Sequence, residues 1–191
     1  MRPYFTIFFV FFIFIMSVQR IWETFVKRNL NKEHSEVEKR FILNILIFFH
    51  VTGLTVSFLE YFIIHREINL VVTSIGISMY MIALIGRNYA IKNLGIYHSI
   101  NIEIRENHQL IKKGLYRYLR HPIYLFTIIE LIGIPLIPNS YYSLCIPLFC
   151  YIPFLFIRIY YEEKAMIRKF GEEYTEYKKE VRRLIPTKGK E

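Results

Sequence analysis

The sequence predicts an all-α, multi-pass membrane protein with about five transmembrane helices. Two observations indicate this fold class. The 191 residues are 53% hydrophobic and 17% aromatic, and the apolar residues form long blocks with the charged residues between them. The Lys and Arg residues are concentrated in alternate segments between these blocks, as is typical of membrane proteins. We expect one domain, residues 1–191.

Three apolar blocks in the first half of the chain are the first predicted spans. Residues 4–18 consist mainly of Phe, Ile and Val and lack the cleavage site of a signal peptide, so we expect a retained helix. Residues 41–64 and 68–86 each come close to the roughly 20 residues that cross about 30 Å of hydrocarbon. Residues 1–86 are therefore expected to contain three spans.

Two shorter apolar blocks follow at 123–137 and 144–157, and each is about 15 residues long. Between them, Pro138 precedes Asn139 and Ser140, which are typical turn residues. We expect a helical hairpin over 123–157. Its short, proline-containing arms are compatible with a kinked pair of spans or with a shallow re-entrant hairpin.

The basic residues predict the orientation of the chain. Of the 25 Lys and Arg residues, 23 lie in 19–40, in 87–122 or after Ile157. The positive-inside rule places these three segments in the cytoplasm, with the amino terminus outside and the carboxyl terminus cytoplasmic. This arrangement requires an odd number of spans.

Several function classes are excluded by the residue patterns. The sequence has no Gly-rich phosphate loop, no Ser-His-Asp spacing and no cluster spaced like metal ligands, so we expect no bound metal. Cys145 and Cys150 lie on different faces of one predicted helix, which argues against a disulfide. The formal charge of +9 lies beside apolar blocks, so the expected partner is the membrane and not a nucleic acid.

The polar segment 87–122 ends in Arg120-His121-Pro122, directly before the fourth apolar block. Proline is favoured at the first position of a helix, where backbone N–H groups are free and the helix dipole is positive. The pattern therefore favours an anion site at Arg120 and His121. The alternative is that Arg120 is one more positive-inside charge and His121 an interfacial residue.

The tail after Ile157 contains a second candidate cluster. Arg158 and Glu162 are one helical turn apart and share a face, whereas Glu163 is rotated by about 100°, which permits it to face water. The Phe170-Gly171 pair is typical of a helix end, and a second short helix is expected after it. The alternative is an amphipathic interfacial helix with exposed charge pairs.

The polar residues between about 103 and 186 resemble, in order and spacing, the isoprenylcysteine carboxyl methyltransferase family of membrane-embedded enzymes. The residues that carry the resemblance are His108-x-Leu110, Gly114-x-Tyr116, Arg120-His121-Pro122-x-Tyr124, Arg158, Glu162-Glu163, Phe170-Gly171, Tyr174, Tyr177 and Pro186. In that family the two polar segments enclose S-adenosylmethionine on the cytoplasmic side, and a lipophilic acceptor reaches it between the helices.

The resemblance implies a cofactor, a reaction and a set of site residues. It implies S-adenosylmethionine as cofactor and methyl transfer to a carboxylate or hydroxyl of a lipophilic small molecule or lipid, with residues 87–191 as the catalytic core. A carboxylate acceptor needs no base, whereas a hydroxyl does. The expected catalytic residues are Arg158, Glu162 and Arg120. The expected cofactor-binding residues are His108, Leu110, Gly114, Tyr116, Arg120, His121, Tyr124, Glu162 and Glu163.

Two other classes of protein share part of this pattern. Sterol-type membrane reductases that use NADPH have a similar Arg-His-Pro-x-Tyr element but are typically longer, and a membrane assembly protein would explain the spans but not the polar series. Glu130 and His50 are ionisable residues inside predicted spans. Glu130 is either a functional group or bonded to a Tyr, Ser or Thr of another helix, and His50 is expected to pack against a Tyr or Thr.

Overall fold

The protein is a bundle of apolar helices. The computed structural model describes residues 2–21, 36–38, 40–99, 102–104 and 109–187. The helices are α1 (Arg2–Ile21), α2 (Arg40–Ile64), α3 (Leu70–Leu94), α4 (Pro122–Leu136), α5 (Ile152–Phe170) and α6 (Glu172–Glu180). An antiparallel ladder joins β1 (Glu36–Glu38) to β2 (Ile102–Ile104). Four helical stretches in the described residues are long and apolar enough to cross a membrane, and α4 is a shorter apolar helix, which confirms the predicted fold class.

Helix α3 is longer than the apolar block that predicted it. The Asn69 side chain caps its start by accepting hydrogen bonds from the backbone N–H groups of Val71 and Val72. The helix ends before Gly95, which has a positive φ of 59°. The predicted polar loop 87–122 therefore begins as helix, and Arg87 is buried in the bundle. The block boundary at 86 was misleading because hydropathy cannot reveal that a buried arginine has a carboxylate partner.

The fourth and fifth blocks form the predicted helical hairpin. Pro122 lies at the start of α4. The turn that follows the end of α4 contains Asn139, which has a positive φ of 60°. Helical backbone then runs from Tyr142 to Phe170, through a π-helical turn at Pro147–Tyr151. Pro147 has no N–H to donate, which accounts for the irregular backbone at this point. This second arm is long enough to cross a membrane, whereas α4 has 15 residues.

Two glycines bring α3 and α4 into close contact. A Cβ atom at Gly76 would lie 2.7 Å from the Gly133 carbonyl oxygen, and a Cβ at Gly133 would lie 2.9 Å from the Met79 Cβ. Small residues at a helix crossing let backbones approach closely, as in other membrane bundles. The crossing fixes α4, and with it the Arg120-His121 turn at its start.

A carboxylate and two guanidinium groups lie together inside the bundle. Glu130 of α4 is 1% exposed and accepts hydrogen bonds from Arg20 of α1 and Arg87 of α3. Its partners are therefore charged groups and not the Tyr, Ser or Thr that one alternative predicted, because opposite charges offset the cost of burying each other. His50 packs edge-on against Tyr151 with ring centroids 6.4 Å apart, as predicted.

The polar segments collect at one end of the bundle. The β1–β2 ladder joins the segment before α2 to the segment after α3, and residues 118–121 hydrogen-bond to residues 182–187. At the other end Glu60 accepts hydrogen bonds from Arg66 and from the backbone N–H groups of Tyr142 and Ser143. The polar segments that the charge pattern grouped together therefore do lie at one end of the bundle. That this end faces the cytoplasm stays a prediction.

Candidate functional site

The candidate site lies where the two polar segments meet, at the start of α4 and beside the second half of α5. Residues 181–187, which follow α6 without regular secondary structure, cross this point, and we call them the C-terminal strap. Backbone hydrogen bonds of 3.0 Å join the strap to the segment before α4: Arg120 N–H to the Arg182 carbonyl, His121 N–H to the Arg183 carbonyl, and Thr187 N–H to the Tyr118 carbonyl.

These backbone contacts change one prediction. The sequence placed Arg120 and His121 at a helix start where backbone N–H groups are free to bind an anion. Both N–H groups donate instead to strap carbonyls. Sequence spacing could not reveal this, because the acceptors are about 60 residues away along the chain.

Glu163 is the centre of an ion cluster in the site. It is 2% exposed, so it does not face water as its helical position permitted. Arg120 donates to its Oε1 from Nε and Nη2 at 3.0 and 2.8 Å, and Arg183 donates to its Oε2 from Nη2 at 2.8 Å. The His121 Nε2 lies 3.3 Å from Oε1, and the Lys178 Nζ lies 3.7 Å from Oε2. Several basic groups thus surround one buried carboxylate.

All three nitrogens of the Arg120 guanidinium donate hydrogen bonds within the protein. Besides Glu163, its Nη1 donates to the backbone carbonyls of Lys178 and Val181, at the end of α6. The side chain therefore pins α6 and the strap to the start of α4. With these contacts Arg120 has a structural role, and the anion-binding role that the motif suggested stays a prediction.

A second chain of hydrogen bonds runs from α5 through α4. The Arg158 Nε donates to the Tyr124 hydroxyl at 2.7 Å, and that hydroxyl donates to Glu162 Oε2 at 2.5 Å. Arg158 and Glu162 share a helical face as predicted, and Tyr124 bridges them. The His121 ring stacks on Tyr124, with centroids 5.6 Å apart and planes at 17°. The Glu162 side chain is 34% exposed, so its carboxylate remains accessible.

Tyrosines form the layer behind these two networks. Tyr116, Tyr174 and Tyr177 are buried, and the Tyr177 hydroxyl donates to the Tyr116 carbonyl at 2.5 Å. Burial raises the pKa of the Tyr116 and Tyr177 hydroxyls, so both are neutral at physiological pH. Leu110 packs against the cluster formed by Tyr174, Tyr177 and Val181.

The structure brings together most of the residues that the motifs selected. Gly114 begins the short 3₁₀ turn that carries Tyr116, and its positive φ of 60° suits glycine. His108 lies outside the described residues. The motifs did not select Arg183 or Lys178, which also approach Glu163. Their only sequence signal was their position among the basic residues of the tail, which charge counting assigned to orientation.

Comparison with known proteins extends the resemblance. Residues 75–168 match the sequence profile of the isoprenylcysteine carboxyl methyltransferase (ICMT) family. An uncharacterised protein of Bacillus subtilis is 32% identical over 93 residues, which are 48% of this chain and 55% of that protein. The protein-S-isoprenylcysteine O-methyltransferase of Tribolium castaneum is 30% identical over 118 residues, which are 60% of this chain and 41% of that enzyme. The solved structure of a eukaryotic intramembrane Ras methyltransferase, ICMT, matches with a TM-score of 0.64 and 26% identity, over 73% of this chain and 51% of that one.

Fold and site together define a multi-pass helical membrane protein whose two polar segments close over the ends of α4 and α5. The sequence profile and the solved structure indicate which family of membrane proteins the chain resembles. Over residues 75–168 the chain matches the ICMT family, and it resembles the solved ICMT structure in fold. It spans about half the length of the curated relatives it matches, with values of 55%, 41% and 58% for three of them.

Proposed function

We propose that the protein is an S-adenosylmethionine-dependent O-methyltransferase that acts on a lipophilic acceptor at the cytoplasmic membrane face. The match to the ICMT family supports this proposal, because several curated relatives are named as protein-S-isoprenylcysteine O-methyltransferases. The acceptor that their names favour is the carboxylate of an isoprenylated cysteine. The observation that carries the proposal is the chain of Arg158, Tyr124 and Glu162, which lies where the apolar helices end.

The residues of the site fit the groups of S-adenosylmethionine. Basic side chains outnumber carboxylates around Glu163, and that of Lys178 is partly exposed, as an anionic carboxylate would require. The accessible carboxylate of Glu162 matches an ammonium or sulfonium group. Tyr124 offers an aromatic ring beside both networks. When bound, this cofactor supplies a methyl group on a positively charged sulfur.

Arg158 is the proposed partner of the acceptor. Its guanidinium is buried next to the Tyr124 ring, with the Cζ atom 5.7 Å from the ring centroid, and Tyr124 holds its Nε. A positive charge at this depth attracts an acceptor carboxylate and orients it toward the site. Such a carboxylate is already ionised at neutral pH and transfers no proton.

Glu162 is the proposed base if the acceptor is a hydroxyl. Its carboxylate is exposed on one side and accepts the Tyr124 hydroxyl on the other, so it is able to take the acceptor's proton directly. The buried Glu163 cluster keeps the strap and α6 in place and thereby excludes water from the reacting groups.

A binding titration and a methyl-transfer assay test the proposal. The detergent-solubilised protein is titrated with S-adenosylmethionine and with NADPH, and we expect binding of the first alone. Transfer of a labelled methyl group is then measured to a farnesylated cysteine derivative and to a hydroxyl-bearing long-chain lipid. Binding of NADPH, or of neither compound, would refute the proposal. Transfer to the hydroxyl acceptor alone would refute the isoprenylcysteine assignment.

A further inference from the structure

The C-terminal strap is held to the site by three kinds of contact. Its backbone pairs with the segment before α4 at Tyr118, Arg120 and His121. The Leu184 side chain packs against the apolar cluster between α2, α4 and α5. The third contact is ionic, and it comes from Arg183.

Arg183 makes a bidentate contact with the Glu163 carboxylate. Its Nη2 donates to Oε2 at 2.8 Å, and its Nε lies 3.2 Å from both carboxylate oxygens. Hydrogen bonding to Glu163 raises the pKa of the Arg183 guanidinium, so Arg183 keeps its positive charge in this contact. The Arg183 side chain is 44% exposed, whereas Glu163 and Arg120 are buried.

We propose that Arg183 is a positioning residue that latches the C-terminal strap onto Glu163 and so retards release of S-adenosylmethionine from the site. The inference rests on the proposed function. Glu163 is shared between two segments, because Arg120 and His121 precede α4 while Arg183 belongs to the strap. Breaking the Arg183 contact frees the strap on one side and leaves Glu163 paired with Arg120.

The difference in burial explains why this contact is able to open alone. An ion pair with one solvent-exposed partner contributes much less than a buried pair, because water replaces the lost contact. The Arg120 contacts with Glu163, Lys178 and Val181 are enclosed and hold α6 in place. Opening the latch therefore moves the strap without unfolding the helices that carry the other site residues.

The test compares Arg183→Ala with Arg182→Ala in the full-length, detergent-solubilised protein. Arg182 is the matched control, since its side chain is exposed and its backbone carbonyl, which Arg120 uses, is kept by alanine. The rate at which labelled S-adenosylmethionine dissociates is measured after a chase with unlabelled cofactor. We expect about 5- to 10-fold faster release from Arg183→Ala, wild-type release from Arg182→Ala, and partial rescue in Arg183→Lys. The KM for the cofactor should rise in Arg183→Ala, while kcat should change by less than about 2-fold.

A second measurement does not depend on the cofactor. Amide hydrogen exchange at Arg120, His121 and Thr187, whose N–H groups join the strap to the segment before α4, should accelerate in Arg183→Ala and not in Arg182→Ala. Wild-type exchange and wild-type release in Arg183→Ala would overturn the latch. If the wild-type protein binds no S-adenosylmethionine, the proposed function fails, and unchanged exchange in Arg183→Ala would then overturn the latch separately.

Discussion

The charge of Glu163 is the single feature of the site with the largest expected effect on stability. Glu163→Gln keeps the shape of the side chain and removes the charge that Arg120, His121 and Arg183 share. Breaking a buried ion pair by neutralising one partner costs about 3–5 kcal/mol, because the other charge is left uncompensated in a water-poor site. Arg120 keeps its hydrogen bonds to two backbone carbonyls, so we expect a loss near the lower end, about 3 kcal/mol.

Thermal unfolding in detergent measures this loss. A change of 1 kcal/mol shifts the midpoint of a chain of this size by about 2–4 °C, so Glu163→Gln should lower Tm by about 6–12 °C. Glu162→Gln is the matched control, because it is the neighbouring residue with the same chemical change and a partly exposed side chain. Its Tm should fall by no more than about 4 °C.

The comparison of the two variants is what decides the outcome. An unchanged Tm in Glu163→Gln would refute the reasoning, because a buried carboxylate with several basic partners cannot lose its charge without cost. A larger loss of stability in Glu162→Gln than in Glu163→Gln would also refute it, since it would mean that the two carboxylates have been assigned to the wrong sides of α5.

Three further outcomes are expected. Glu162→Gln should lower turnover tenfold or more, equivalent to at least about 1.36 kcal/mol of barrier, while Glu172→Gln beyond Gly171 should not; equal turnover in both would contradict a role for Glu162. Gly133→Ala should lower the free energy of unfolding by about 1–3 kcal/mol, because its Cβ would lie 2.9 Å from Met79 Cβ. Gly53→Ala is the control and should be tolerated, because the nearest atom to a Cβ there is at 3.7 Å, and chemical unfolding compares the two variants. Reporter fusions should find the amino terminus outside and the carboxyl terminus in the cytoplasm, and both termini on one side would contradict five spans.

Part of the site was predictable because the positions of its residues follow from nearby sequence features, a proline at a helix start and a one-turn spacing. Pro122 defines the start of α4, so the preceding Arg120 and His121 fall at the mouth of that helix. The one-turn spacing of Arg158 and Glu162 places both on one face of α5, where Tyr124 meets them. The roles of Arg183 and Glu163 were not predictable in this way. Arg183 is 20 residues from Glu163 along the chain, and nothing in their spacing indicates a contact.

The sequence by itself determined the apolar helices, the helical hairpin and the grouping of polar segments, because hydropathy, proline and charge act locally or through the membrane. Only the tertiary structure decided which carboxylate is buried and which is accessible. Helical periodicity gives the angle between Glu162 and Glu163, but the burial of each depends on what packs against α5. The strap covers Glu163 and brings Arg183 to it, while Glu162 keeps one side open. Burial depends on packing between segments that are distant in sequence. It is the difference in burial that assigns the Glu163 charge to holding the fold and leaves the Glu162 charge available for the proposed reaction.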